Sequence, residues 1–312
     1  MYQNLLIINE SHVLILIEQF LQDVCMEYYQ DDLDEFKRTL LELITSFKTI
    51  YKDYLWYSSP IHVFMDVIRL VDYTINKLEM MGYESILKFE VNHLYHIQGW
   101  MIYVMTRAKV QLNGFKLQEQ ANRIKLKTYL NQLIQHYSKL LFVRVDLGIL
   151  QEHQHTIGIE DFKNYLSIMM NRIANQDSCF RDLQGYIWAV EQGEKKGYHC
   201  HLLLIYDGQK HQNDFALGQF VGPCWYEITN QKGYTFNCNT KEHKEKFSEH
   251  GKLGIGMIYR DDLQQVTNAL DAAQYLVNPE KTDQYLRAKT SKQMKTFGTG
   301  QYHVAWRRGI AS

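Results

Sequence analysis

The run IWAVEQGEKKGYHCHLLLIYDG, residues 187–208, decides how the rest of the chain is read. IWAVE is β-branched and aromatic, HCHLLLIY turns apolar after its histidines, and Gly193 and Gly197 lie between them, which is the pattern of two strands joined as a hairpin. His199 and His201 are two apart, so on a strand they project from one face, while Cys200 points to the other as the hydrophobic middle residue. If the turn centres on Lys195, Glu191 falls directly opposite His199, with the two Cβ atoms about 5 Å apart. Two imidazoles and a carboxylate with open positions suit Mg, Mn or another divalent ion better than a closed zinc site. The bare spacing alone favours two surface histidines on an edge strand. The opposed Glu191 and the apolar LLLIY tail, which marks a central strand, bring the two readings level.

Outward from this hairpin, LLFVRVDL at 140–147 reads as a preceding strand and residues 255–259 as a later one. Residues 160–175 read as a helix, and so do residues 261–277, capped by Asp261 or Asp262 and stopped by Pro279. An irregular glycine-bearing stretch is expected between residue 208 and the strand at 255. Upstream, Leu14, Ile17, Leu21 and Cys25, then Ile61, Phe64, Val67, Ile68 and Val71, recur at helical spacing, with Pro60 suited to a first turn. The expected class is α+β: a helical N-terminal region over 1–137 and an antiparallel sheet with packed helices over 138–312.

The formal net charge of −1 over 312 residues hides two opposed parts. Residues 1–104 carry −8 and residues 105–312 carry +7, and only Gly82 and Gly99 of the 18 glycines precede residue 105. Residues 105–139 hold seven Lys and Arg against Glu119 alone. A composition 46% hydrophobic with 3 Pro excludes disordered, collagenous and low-complexity classes. Five cysteines at irregular spacing suggest no disulfide framework, and Cys224, Cys238, His243 and His250 match no zinc-ligand pattern. The opening MYQNLLIINESHVLILIEQFL lacks a basic leader and is interrupted by polar residues, so no signal or spanning helix, no membrane partner and a cytoplasmic location are expected.

The sequence HCH within YHCHLLLIYDG resembles the HUH motif (His, hydrophobic residue, His) of HUH-superfamily single-strand endonucleases. The wider run EQGEKKGYHCHLLLIYDG, with FVRVDL at 142–147 and AAQYL…KTDQYLR…TFGTG over 272–300, is similar to the replication proteins of filamentous phages (inoviruses) and their prophage relatives, over about residues 138–310. The resemblance implies an HUH-endonuclease domain that nicks and rejoins single-stranded DNA at a replication origin. A tyrosine attacks the scissile phosphate, a 5′-phosphotyrosine forms, and the freed 3′-hydroxyl primes rolling-circle synthesis. Carried over by position, His199 and His201 are the metal ligands, Glu191 the third ligand, and Tyr275 the nucleophile, with Tyr285 as fallback. The lysine that many members carry three or four residues after the tyrosine is replaced by Asn278 and Pro279, and Lys281 is the first one available. Ordinary packing is the alternative for either tyrosine.

Arg144 and Asp146 alternate on the first strand, either as a salt-bridged pair or as contacts to DNA near the site. The tail from Lys281 onward carries Arg287, Lys289, Lys292 and Lys295 with Phe297, Tyr302 and Trp306 interleaved, a mixture suited to single-stranded DNA. The acidic helical region is a candidate surface for host replication proteins. Two further functional classes fit the same residues: a non-enzymatic DNA-binding regulator derived from such a domain, and a metal-dependent phosphodiesterase without a covalent intermediate.

Overall fold

A computed structural model describes residues 8–26, 29, 32–277 and 284–303. The chain forms two compact units, one of 1–115 with 154–160 and 286–294, the other of 116–153, 161–285 and 295–312. The expected domains, 1–137 and 138–312, differ from these units in three segments: 116–137 packs with the sheet, while 154–160 and 286–294 join the helical unit.

In the first unit, α1 (Glu10–Cys25), α2 (Leu33–Ile50) and α3 (Ser59–Lys77) pack through the apolar stripes that the spacing predicts. Leu14, Ile17, Leu21, Ile61, Phe64, Val67 and Val71 are fully buried, and Ile68 nearly so. Asn9 caps α1 by accepting from the His12 N–H, Asp32 caps α2 by accepting from the Glu35 N–H, and Pro60 occupies the first turn of α3. A two-residue strand, β1 (Trp56–Tyr57), follows α2. Segment 154–160 is tied in where the Ile159 N–H donates to Glu10 (2.8 Å) and Lys52 pairs with Glu160 (2.6 Å).

The basic stretch belongs to a single helix, α4 (Val91–His136). Its last turns line one face of a sheet built from β2 (Lys139–Ile149), β3 (Leu183–Gly193) and β4 (Gly197–Asp207), with α5 (Ile159–Ala174) between β2 and β3. The region expected to be irregular is instead ordered as α6 (Asp214–Ile228), β5 (Gly233–Asn237) and α7 (Lys241–Ser248). Helix propensity there is spoiled by Gly218, Gly222 and Pro223, yet tertiary packing favours the helix: a Cβ at Gly218 would sit 2.4 Å from Asn237 Oδ1, so glycine is what lets α6 lie against β5. Next come β6 (Gly256–Tyr259) and α8 (Leu263–Gln274), which Asp262 caps by accepting from the Gln265 N–H, and a 3₁₀ turn over Tyr275–Val277. Two short strands are the last elements among the described residues: β7 (Ala288–Lys289), paired with β1 in the first unit, and β8 (Phe297–Thr299).

The sheet order is β5-β2-β4-β3-β8, with β6 also on β2, and all pairings are antiparallel. Directly opposed residues share a face. One face therefore carries Phe142, Arg144 and Asp146 from β2, Leu203, His201 and His199 from β4, and Ile187, Ala189 and Glu191 from β3. Leu126, Leu130 and Leu133 of α4, with Ala269, Ala273, Leu276 and Val277 around α8, cover its apolar part. On the other face Tyr198, Cys200 and Leu202 are buried, and Tyr198 meets Phe162 of α5, which in turn meets Trp225 of α6. The structure is thus a mixed α+β protein with an N-terminal helical region and an antiparallel sheet. Among the described residues no helix is long and apolar enough to cross a membrane.

Candidate metal centre

The hairpin has the expected register: Glu191 pairs with His199, and Gly193 with Gly197 closes the turn, where Gly197 adopts φ +60°, a conformation open to glycine. Glu191, His199 and His201 are all buried, at 7%, 4% and 4% exposure, so the surface-histidine reading fails. Each offers a ligand atom, and these atoms lie within 4.8 Å of one another. Glu191 Oε2 is 3.2 Å from His201 Nε2 and 3.6 Å from His199 Nε2.

Both rings are fixed from behind. His199 Nδ1 is 3.1 Å from the Gly197 carbonyl oxygen, and His201 Nδ1 is 2.7 Å from Asp146 Oδ1, so each Nδ1 has an acceptor for its proton and each Nε2 turns toward Glu191. Asp146 reaches His201 because the two residues are opposed in the β2–β4 register. Arg144 Nε lies 3.4 Å from Asp146 and completes the chain of contacts, so this pair joins the site from behind. Burial pushes the Asp146 carboxyl up, but the His201 hydrogen bond and the charges of His201, Arg144 and Lys196 prevail and hold it well below the usual carboxylate range. Burial works against the charged His201 imidazole, yet Asp146 and Glu191 outweigh it and raise its pKa. Two converging imidazole nitrogens, one carboxylate and an acceptor behind each ring make a donor set that can hold a divalent metal ion.

Tyr275 begins the turn after α8 and is 53% exposed. Its neighbours Ala273, Leu276 and Val277 belong to the same core cluster as Ala189, the residue opposed to His201, so the turn lies on the sheet face that carries the site. Tyr285, half-buried, follows Gln284, whose carbonyl accepts from the Gln192 N–H (2.9 Å) next to Glu191. Lys281, Asn278 and Pro279 lie outside the described residues, as do Trp306, Arg307 and Arg308.

Two of the four basic tail residues expected to contact DNA are taken up in the helical unit. Arg287 is 4% exposed, with Nε 2.5 Å from Glu18 of α1, and Lys289 lies over the Trp56 ring of β1, because β7 pairs into the helical unit. Lys292 and Lys295 are exposed. Phe297 is 8% exposed and Tyr302 packs against the core, so neither offers a free stacking face. The aromatic residues that sequence reasoning missed lie on β5 and α7. The alternation of Tyr234 and Phe236 in GYTFN was the available signal.

No curated protein and no solved structure matches the chain. A family model does, over residues 105–300, which takes in the sheet, the triad and Tyr275. On that match the chain belongs to the YagK/YfjJ C-terminal domain family, a family of prophage-related proteins.

Proposed function

We propose that this protein is a metal-dependent, HUH-type endonuclease that nicks and rejoins single-stranded DNA through Tyr275, initiating rolling-circle replication of a prophage or related element. The observation that carries the reading is the convergence of His199 Nε2, His201 Nε2 and Glu191 on one sheet face, with the exposed Tyr275 turn packed on that face. His199, His201 and Glu191 would hold Mg or Mn, which when bound polarises the oxygens of the scissile phosphate. Asp146 and the Gly197 carbonyl keep both rings in the ligating tautomer. Tyr275 Oη forms a bond to phosphorus as the bond to the 3′-oxygen breaks. The tyrosine proton passes to solvent, and the departing oxygen takes one up as the free 3′-hydroxyl. Rejoining is the reverse attack by that hydroxyl.

Incubation with single-stranded oligonucleotides tiling the DNA around its own gene, plus Mn or Mg, should give a denaturant-resistant protein–DNA adduct lost on chelation. Tyr275→Phe should abolish the adduct and keep DNA binding. An adduct that survives in Tyr275→Phe but vanishes in Tyr285→Phe would move the nucleophile to Tyr285. Cleavage without any adduct would replace the reading with a water-using phosphodiesterase, and binding without cleavage with a regulator.

A further inference from the structure

In the β2–β5 pairing Phe236 stands opposite Asp146, so its ring projects from the face that carries the metal-site triad. Helix α7 brings two more rings beside it. His243 lies 5.3 Å from Phe236 and 5.2 Å from Phe247 between ring centroids, a continuous run of three rings. Phe236 is 48% and Phe247 44% exposed, and α7 has no buried residue. Phe236 on β5 and Phe247 on α7, an otherwise polar helix reading KEHKEKFS, are half-exposed rings outside the core.

Cations and acids both lie near these rings, Asp146 among the acids. The charges of Arg144 and Lys196 act on Asp146, and those of Arg144 and Lys246 on His243. Burial, helped by these two cations, holds the His243 imidazole below its usual range, so at neutral pH it is an uncharged ring. Exposed rings with Arg144, Lys196 and Lys246 close enough to act on their neighbours match a strand whose bases are unpaired and whose backbone is anionic. A duplex has its bases already stacked on one another and offers no free face.

We propose that Phe236, His243 and Phe247 form a stacking platform for the unpaired bases next to the phosphate held at Glu191, His199 and His201. The proposal rests on the nuclease reading for its placement, and it names where the substrate strand runs: across β5 and α7, not along the C-terminal tail.

Fluorescence anisotropy with a fluorescein-labelled 20-mer of oligothymidylate, in EDTA so that no cleavage occurs, tests it. Phe236→Ala and Phe247→Ala should each weaken binding roughly 5- to 150-fold, the loss expected for one stacked base. Phe236→Tyr should bind like the parent protein, and the unfolding midpoints should be unchanged because both positions are half-exposed. Parent-like binding by both alanine variants, full recovery by Phe236→Leu, or no binding of the oligonucleotide by the parent protein would overturn the platform. The adduct assay separates the two ideas. Platform variants should still form the adduct at saturating DNA, whereas a parent protein that forms none while showing the same binding pattern would sink the nuclease reading and leave the platform standing.

Discussion

His201 is gripped at both nitrogens, by Asp146 at Nδ1 and by Glu191 at Nε2, and a metal bound at the triad would compete with its proton for Nε2. Asp146→Asn removes the charge that orients the ring while keeping its shape. Mn affinity should fall about 10- to 100-fold, as for other partners behind a ligating histidine, and calorimetric titration would measure it. The same contacts set a pH dependence. The raised His201 pKa contributes stability to the metal-free protein that is fully present below 6.5 and is lost as pH rises through the raised value. The lowered Asp146 pKa contributes stability present above 3.8 and lost as pH falls through the depressed value. Melting temperatures of EDTA-treated protein across this range should fall on both flanks. A metal must displace the His201 proton, so Mn binding should release a proton below the raised value and tighten as pH rises, visible as a buffer-dependent binding enthalpy. The triad itself was legible in the sequence because a hairpin turn of known length fixes a period-two register. The placement of Asp146 on His201 was not, since it depends on which strand neighbours β4.

At the scale of elements, α6 shows tertiary packing overriding propensity. Asn237, packed against Gly218, donates to the Phe215 carbonyl (3.0 Å) and accepts from the Asn239 N–H (3.0 Å), and Asn239 in turn bonds the Arg144 backbone at both its N–H and its carbonyl. This buried amide pair carries β5 onto β2 beside the site. Gly218→Ala gains about 1 kcal/mol of helix propensity, but its Cβ pushes into the network, and overpacking typically costs about 1–3 kcal/mol. Denaturant unfolding should show a net loss. Strands β2, β3 and β4 were readable because long apolar runs bounded by glycine leave few alternatives. Helices α6 and α7 were not, since one is rich in glycine and the other, KEHKEKFS, has a single apolar residue and so shows no helical stripe.

Across the whole molecule the chain does not fold in the order it is written. Segment 286–294 returns to the helical unit, where Arg287 is buried against Glu18. Glu18→Ala would remove the carboxylate that faces the buried Arg287 guanidinium, and the loss should be about 3–5 kcal/mol by thermal or denaturant unfolding. Replacing both residues, Glu18→Leu with Arg287→Met, should recover most of it. The split of −8 and +7 read along the sequence therefore does not map simply onto the two units, because part of the basic tail neutralises an acidic helix. By itself the sequence determined what local period and turn length can specify: the helical stripes of the first unit, the hairpin, and the two histidines and glutamate on one face. Only the tertiary structure decided which strand supplies Asp146, which aromatic rings stay exposed beside the site, and which basic residues are spent inside. Those outcomes depend on pairings between segments far apart in the chain, and local pattern carries no information about such partners.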